Sequence, residues 1–397
     1  MIYLLVLCIL FVGTLLDKEK GSKNAKIWWI IEWLTLVLLA GLRYRMGSDS
    51  LGYDDMHKGM ETFSDLARLK DWTELKYMPL WHLFVASCLS ITDDFVFLQI
   101  IEAIIVNSVI FWFVKKYARR PFMVVLFYFI LMYPYYNTEI LRQVLTVCCF
   151  LLSIPSLIKG KYLRYYIWAI VGFGFHQAGV FLFVFPLIYV YMKSLGNKSM
   201  FSFLFIFIVG LIFISQMESV SMLMKIVGMK QVGVSMTHTN VNYISFFGII
   251  YRLLTEWSLT CVFLLLCKEQ EKTEKVFLSI YIFIAGISIP IYLMLRIVDF
   301  LWIPYYVVIL NNLDRFVLSK DSKFRVGVNR ALYGFLAILI VFNVIFIRFK
   351  YYTMDREVVT NKKGTYMYNM YIPYNSVFDP EKDEVREDLH YNGAIEF

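Results

Sequence analysis

Charged residues are scarce in this sequence of 397 residues: Asp, Glu, Lys and Arg make up 18% of it, against 59% hydrophobic residues. A soluble chain of this length could not bury so much apolar surface around one core. Apolar runs recur from end to end, many of them near the ~20 residues that cross a bilayer as a helix. The composition therefore excludes a soluble globular protein and predicts an all-α, multi-pass membrane protein.

Several motifs of cytosolic chemistry are also absent. The sequence has no GxxxxGK[ST] phosphate loop, no GxGxxG fingerprint, no HExxH and no GxSxG elbow. The six cysteines lie inside apolar segments without metal-ligand spacing, so we expect buried thiols and no metal site. The net charge of +8 is spread over short loops, which argues against a nucleic-acid partner. We expect no cofactor, and an activated substrate already in the membrane.

The apolar segments predict about 12 transmembrane helices, within a range of about 10 to 13. They fall at 3–16, 26–42, 95–114, 121–136, 139–158, 162–175, 176–192, 200–217, 246–267, 275–294, 299–315 and 327–347. Placing the basic loops in the cytoplasm satisfies the positive-inside rule and leaves both ends outside. The first segment lacks a basic leader and a cleavage site, so we interpret it as a span.

Two places depart from regular spans. The stretch Tyr77–Ile91, interrupted by Pro79, predicts a re-entrant or interfacial helix at the outer face. Gly172 and Gly174 predict a helix break beside His176. The domain assignment is a transmembrane domain at 1–349, with outer loops at 43–76 and 218–244, and a polar C-terminal tail at 350–397.

Three arginines lie inside apolar stretches, each with a carboxylate within one helical turn. The pairs are Glu139/Arg142, Arg252/Glu256 and Arg296/Asp299. A charge in the hydrocarbon core costs about 2.5–3.5 kcal/mol, so such residues usually face a protein interior or a wet cavity. These spacings put both members of a pair on one helix face. The pattern predicts a polar chamber within the membrane, with bonds between helices as the structural alternative.

The segment GLRYRMGSDSLGYDDM (41–56), hereafter the charged loop, follows the second span. It places Arg43 and Arg45 close to Asp49 and Asp54. Arginine forks bind phosphate oxygens, and a carboxylate can accept a proton from a sugar hydroxyl. The alternative is an ordinary solvated loop with surface ion pairs.

A second group of polar residues follows at positions 139–176, inside apolar segments. Glu139, Arg142 and Gln143 are expected in the first turn of a helix, which is either an anion site or a brace between the acid and the arginine. His176 is either a general base or a structural histidine. The other histidines are interpreted as loop or surface residues: His57, His82, His238 and His390.

The charged loop resembles the G-x-R-Y-x-x-G-x-D-x-x-x-Y signature of the EpsG-like family of bacterial exopolysaccharide polymerases, relatives of the Wzy O-antigen and capsule polymerases. Further matches follow in the family's order, at LRQVLTVCCFLLSI (141–154), FGFHQAGVFLFVFPLIY (173–189), LRIVDFLWIPYYVVI (295–309) and PYNSVF (373–378). One departure is Met78 before Pro79, where the family has an acidic residue; Glu74 is near enough to substitute.

The resemblance implies a GT-C-like membrane glycosyltransferase. It would join polyprenyl-diphosphate-linked repeat units at the outer face of the bacterial cytoplasmic (inner) membrane, extending exopolysaccharide, capsule or O-antigen. Its expected partners are these lipid-linked glycans, the lipid bilayer, a chain-length regulator and the flippase of the same pathway.

The resemblance carries over, position by position, to Arg43, Gly47, Asp49, Tyr53, Arg142, Gln143, His176 and Arg296. With the charged pairs, this predicts catalytic roles for Asp49 and His176 and diphosphate binding by Arg43, Arg142, Arg252 and Arg296. The predicted substrate-binding residues are Arg45, Tyr53, Asp54, Gln143, Glu256 and Asp299. The alternatives are a flippase or transporter of lipid-linked oligosaccharides, a membrane acyltransferase acting on surface sugars, and a non-catalytic scaffold.

Overall fold

The computed structural model is mostly helical. It describes residues 2–19, 21–47, 49–69, 75–195, 203–204, 207, 260, 271–288, 294–318, 357–361, 364–368, 371–382 and 387. The described helices are Ile2–Leu15 (α1), Lys23–Gly41 (α2), Ser50–Lys58 (α3), Phe63–Arg68 (α4), Pro79–Leu89 (α5), Phe95–Tyr117 (α6), Pro121–Leu131 (α7), Leu141–Ile158 (α8), Tyr162–Phe175 (α9), Val180–Ser194 (α10), Lys272–Ile287 (α11) and Leu295–Leu318 (α12). Single turns of tighter or wider helix occur at Leu16–Glu19, Tyr135–Glu139 and Gln177–Gly179.

Local signals in the sequence explain where several helices begin. Ser22 accepts the Ala25 N–H at the start of α2, and Asp94 accepts the Val96 N–H at the start of α6. These side chains satisfy amide groups that have no partner within the helix. Proline occupies the first position of α5 and α7, where its missing N–H costs nothing.

Four described helices are long and apolar enough to cross a membrane. They are Lys23–Gly41, Phe95–Tyr117, Leu141–Ile158 and Gln177–Ser194. On the outward faces of α1 and α2, large apolar side chains such as Leu4, Phe11 and Ile30 are exposed, as lipid contact requires. The chain is thus a helical membrane protein, whereas the count of 12 spans and the GT-C-like architecture remain predictions.

The chain divides into two compact units, Met1–Leu182 with Val344–Phe397, and Phe183–Asn343. In the first unit α8 is the most enclosed of the four candidate spans, with 72% of its apolar window buried. It packs against α9 and α6, and α6 packs in turn against α2. The polar residues at the N-terminal end of α8 therefore lie inside the first unit.

The second unit contains most of α10, together with α11 and α12. The Tyr281 and Tyr305 rings stack there with centroids 3.9 Å apart. Near the opposite end of α12, Arg315 forms ion pairs with Glu274 and with Glu271, the latter at 3.2 Å. These contacts tie the two helices together.

The segment 357–368 departs from the all-α prediction. Residues Glu357–Asn361 (β1) pair in antiparallel register with Gly364–Tyr368 (β2). The predicted outer loop at 218–244 and the apolar segments at 246–267 and 327–347 lie outside the described residues, apart from Thr260. The predicted loop at 43–76 contains α3 and α4.

The structure describes both places where the sequence departs from regular spans, Tyr77–Ile91 and the glycines before His176. The short apolar helix after the charged loop is α5, with 11 residues, too few to cross a bilayer. The predicted break at the glycines is displaced, because α9 continues through Gly172 and Gly174 and ends at Phe175. These glycines permit close packing instead: a Cβ on Gly174 would lie 2.6 Å from the Leu80 side chain.

Candidate functional site

The charged loop turns sharply after α2. Arg45 and Gly47 have φ angles of +49° and +92°, in the left-handed region that favours glycine. A Cβ at Gly47 would lie 2.8 Å from Glu139 Oε1 and 2.9 Å from Thr138 Cβ. Both the backbone conformation and the close packing therefore require glycine at this position.

The carboxylate of Glu139 holds the charged loop in place through hydrogen bonds. Its side chain is buried, and Oε2 accepts the backbone N–H of Asp49 at 3.0 Å. Oε1 accepts the hydroxyls of Tyr371 and, at 3.2 Å, Thr138. One carboxylate thus joins the charged loop, the turn before α8 and the C-terminal segment.

The predicted brace between Glu139 and Arg142 is wrong. Their spacing assumes one continuous helix, but Glu139 ends a π-helical turn and α8 begins at Leu141. Ile140, between them, has φ −119° and ψ 41°, which is not helical. The two side chains consequently bond to different partners.

The C-terminal segment 371–379, hereafter the tail strap, pairs with the charged loop. The Tyr44 N–H donates to the Asn375 carbonyl, and the Val377 N–H donates to the Leu42 carbonyl, both at 3.0 Å. This is a short antiparallel bridge between the first and last motifs of the family resemblance. The motifs at the two ends of the sequence therefore build one structure.

Arg43 is enclosed beneath the tail strap. Its side chain is only 2% exposed, and Nη1 donates to the carbonyl of Ala40 in the last turn of α2. Burial lowers the pKa of Arg43, and the nearby acids Glu102 and Glu139 partly offset that shift. It lines a small pocket together with Tyr371. In this structure Arg43 is a buried cation that organises the loop.

Arg142 is half-buried and held between two tyrosines. Its guanidinium carbon lies 4.2 Å from the centroid of the Tyr77 ring, a cation–π arrangement. The charge of Arg142 also acts on the Tyr53 hydroxyl, which donates to the Glu139 carbonyl oxygen at 3.3 Å. Burial raises the pKa of Tyr53 to about 12, and the charge of Arg142 opposes that shift. The phenol is therefore protonated at neutral pH.

Asp49 brings an exposed carboxylate to the same place. It precedes α3, and its carbonyl accepts the N–H of Tyr53 one turn later at 3.0 Å. Its negative charge acts on the Tyr53 hydroxyl. A guanidinium, a neutral phenol and an accessible carboxylate thus meet at the first turn of α3.

Arg45 and Asp54 form the solvent edge of the site. Arg45 Nη1 lies 2.6 Å from Asp54 Oδ2, and its Nε lies 2.7 Å from Glu387 Oε1. Lys58 also approaches Asp54, at 2.9 Å. These are partly exposed ion pairs, each worth at most about 1 kcal/mol.

Gln143 and His176 lie deeper in the first unit. Gln143 is 2% exposed, in the first turn of α8 beside Arg142. His176 is 6% exposed, and its Nδ1 accepts the N–H of Ala178 at 3.1 Å. A neutral imidazole that accepts at Nδ1 carries its proton on Nε2. This geometry gives His176 a capping role at the turn before α10.

The remaining predicted residues belong to the second unit or lie outside the described residues. Arg296 and Asp299 lie in the first turns of α12 in the second unit, with Arg296 exposed and Asp299 buried. Arg252 and Glu256 lie outside the described residues, as does Glu74. Within the described part of the chain, no group of three or more His, Cys, Asp or Glu side chains is placed to hold a metal.

Sequence reasoning missed four buried polar residues of the first unit. His57 and His82 are each 1% exposed, so their interpretation as loop or surface residues is wrong. Glu32 and Glu102 are fully buried within α2 and α6. An isolated acid in an apolar run is the same signal that drew attention to the arginines, and it would have found both glutamates.

The comparisons with known proteins add one finding. No curated protein and no solved structure gives a significant match to the chain. The model of the EpsG family matches residues 26–376, nearly the whole chain. The matched range runs from α2 into the tail strap, so it contains the charged loop, Arg142 and the residues that bridge the two ends. This membrane protein belongs to the EpsG family.

Proposed function

We propose that this protein is a membrane glycosyltransferase that polymerises polyprenyl-diphosphate-linked oligosaccharide repeat units into exopolysaccharide, capsule or O-antigen at the outer face of the bacterial cytoplasmic membrane. Membership of the EpsG family supports an exopolysaccharide-related membrane polymerase. The observation that carries the finer proposal is the half-buried guanidinium of Arg142, held by Tyr77 and Tyr53 beside the exposed carboxylate of Asp49.

Arg142 stabilises the leaving diphosphate. Its Nε is buried and has no hydrogen-bond partner among the residues that the structure describes, so one donor of this half-buried guanidinium is unsatisfied. A fixed guanidinium in a partly water-excluded site stabilises developing negative charge without reorganising. The fork also binds two phosphate oxygens at once.

Asp49 accepts the proton of the acceptor hydroxyl. In the proposed step that hydroxyl oxygen attacks the anomeric carbon of the donor glycan and forms the new glycosidic bond. The bond from that carbon to the diphosphate breaks, and the lipid diphosphate leaves with the electron pair. Asp49 suits the role because its carboxylate is exposed at the start of α3.

The other predicted residues take supporting roles. Arg43 and Gly47 set the shape of the charged loop, and Arg45 and Asp54 form its solvent edge. Gln143 and His176 are buried in the first unit and contribute to its packing. Diphosphate contacts by Arg252 and Arg296, and substrate contacts by Glu256 and Asp299, stay predictions.

The test uses the purified full chain in detergent with polyprenyl-diphosphate-linked repeat units, and product length is followed on a gel. We expect a ladder with the wild type. Arg142→Ala and Asp49→Asn should each slow its formation about 10²–10³-fold, the typical loss when one electrostatic or proton-transfer group is removed. Arg68→Ala, at an exposed arginine of α4, is the matched control and should give the normal ladder.

Normal ladders from both site variants would refute the assignment of this site. If no ladder forms under any condition but the protein scrambles the lipid-linked glycan across vesicles without ATP, the polymerase proposal is wrong and the flippase alternative takes its place.

A further inference from the structure

The Tyr77 residue whose ring contacts Arg142 is itself held by a buried histidine, His82, which is paired with the partly exposed Glu61. His82 lies in the first turn of α5, and its Nε2 accepts the backbone N–H of Tyr77 at 3.2 Å. Its Nδ1 lies 2.6 Å from Glu61 Oε2, in the segment before α4. Both ring nitrogens of this 1% exposed histidine are therefore engaged.

The proton positions on this pair follow from the bonds. Because Nε2 accepts the amide hydrogen of Tyr77, the imidazole carries a proton on Nδ1 and donates it to Glu61. A carboxylate that accepts from one ring nitrogen fixes both the tautomer and the orientation of a histidine. Glu61 thus aims the Nε2 lone pair at the backbone of Tyr77.

Tyr77 needs this support because it lies in an irregular bend before α5. Pro79 begins that helix, and the described residues before it, 75–78, belong to no helix or strand. A cation–π contact weakens as the cation leaves the ring face. A shift of the Tyr77 backbone would therefore move the ring from Arg142.

We propose that His82 and Glu61 are positioning residues for Arg142: they fix Tyr77, and Tyr77 fixes the guanidinium that binds the diphosphate of the lipid-linked donor. The inference rests on the proposed function, which assigns the diphosphate to Arg142. The two residues act through Tyr77.

Two substitutions separate the bonds of His82. In His82→Gln the amide oxygen reaches the place of Nε2, so the bond from the Tyr77 N–H is kept. In His82→Asn the amide nitrogen takes the place of Nδ1, so only the bond to Glu61 is kept.

The probe for both variants is undecaprenyl diphosphate without sugar, titrated into the detergent-purified full chain by calorimetry. We expect Kd within about threefold of wild type for His82→Gln and about tenfold weaker for His82→Asn, because a lost buried hydrogen bond of ~1.4 kcal/mol is a factor of ten.

A double-mutant cycle separates positioning from general destabilisation. Tyr77→Leu removes the ring, so His82→Asn should weaken binding no further in that background. His57→Asn is the matched control: this histidine is equally buried, on α3, and its ring contacts Phe95. It should leave Kd near the wild-type value even where the melting temperature falls.

The outcomes distinguish this inference from the proposed function. If Arg142→Ala does not change Kd for undecaprenyl diphosphate, the diphosphate site is wrong and the inference fails with it. If Arg142→Ala weakens binding but the two His82 variants bind equally well, or their effects add to that of Tyr77→Leu, the positioning role alone is refuted. In polymer assembly the positioning role predicts a lowered kcat/KM for the donor in His82→Asn and a value near that of the wild type in His82→Gln.

Discussion

At the scale of single residues, Glu139 and Gly47 determine the shape of the candidate site. The carboxylate of Glu139 accepts hydrogen bonds from the backbone of Asp49 and from Tyr371, and Gly47 lies against it without a side chain. A buried acceptor that loses a donor costs about 1–3 kcal/mol. The exposed Asp49 therefore depends for its position on two buried residues, Glu139 and Gly47.

Gly47→Ala should disrupt the site while the fold survives. Alanine is strained at φ +92°, and its methyl group would lie 2.8 Å from Glu139 Oε1. We expect polymer assembly to fall at least about tenfold, because a small displacement of a catalytic group has that effect. The measurement is the initial rate of ladder formation at equal amounts of folded protein.

Gly160→Ala provides the matched control for this prediction. Gly160 also has a positive φ, +69°, but a Cβ there meets nothing within 4 Å. The control shares the backbone strain and lacks the clash with Glu139. Equal rates for the two alanine variants would show that packing against Glu139 is unimportant.

Single residues were predictable only where their own chemistry marked them. An arginine in an apolar run and a carboxylate in a dense charged loop pointed to Arg142 and Asp49. The partner of Arg142 was predicted wrongly because its spacing from Glu139 assumed a continuous helix. Its actual neighbours, Tyr77 and Tyr53, come from distant segments, and helical spacing carries no information about them.

At the scale of elements, the tail strap completes the site. It adds its backbone to residues 42–44, and its tyrosines reach the buried groups beneath the charged loop. Tyr374 donates to the carbonyl of Leu39 at 2.9 Å, while Tyr371 donates to the carboxylate of Glu139. The two tyrosines therefore donate to different kinds of acceptor, a buried carboxylate and a helix carbonyl, so the loss of each hydroxyl should cost a different free energy.

Tyr371→Phe should loosen the charged loop more than Tyr374→Phe does. The first change removes a donor from a buried carboxylate, at about 1–3 kcal/mol, and the second removes a donor from a helix carbonyl, at about 0.5–1.5 kcal/mol. Hydrogen exchange of residues 42–49 measures the difference, and Tyr371→Phe should accelerate it more. The same acceleration in both variants, or none, would show that the hydroxyl bond to Glu139 does not hold the loop.

Most described elements were predictable because hydropathy and caps decide them. The bounds of α1, α2, α6, α8 and α9 lie within a few residues of the predicted segments. The π-helical turn before α8 was not predicted, since Pro134 and the bonds of Asn137 and Glu139 set it by tertiary contact. The tail strap was also missed as a structural partner, because its bonds join distant parts of the sequence.

At the scale of the whole molecule, the proposed function requires the charged loop on the outer side of the membrane. The segment between α8 and α9 contains Lys159 and Lys161, which the positive-inside rule places in the cytoplasm. One span then separates this basic turn from Arg142 at the other end of α8. Labelling one position on each side of α8 therefore tests which side of the membrane carries the charged loop.

Ala67→Cys should react with a membrane-impermeant maleimide in intact cells, and Lys159→Cys only after permeabilisation. Both positions are exposed, one in α4 and the other after α8. The parent chain without an added cysteine is the control, since its own cysteines lie in apolar segments. Labelling of Lys159→Cys in intact cells with protection of Ala67→Cys would place the site in the cytoplasm and exclude the proposed reaction at the outer leaflet.

The bridge between the tail strap and the charged loop can form only late in translation, because its two parts lie at opposite ends of the sequence. Tyr374 is translated 335 residues after Leu39, the residue whose carbonyl it meets. At a synthesis rate of 5–20 residues per second, that interval is roughly 15 to 70 s. During this time the early helices are already in the bilayer, while the loop still lacks the strand that closes it. Under the proposed function, we therefore expect activity on lipid-linked sugars to begin only after the tail strap has been translated.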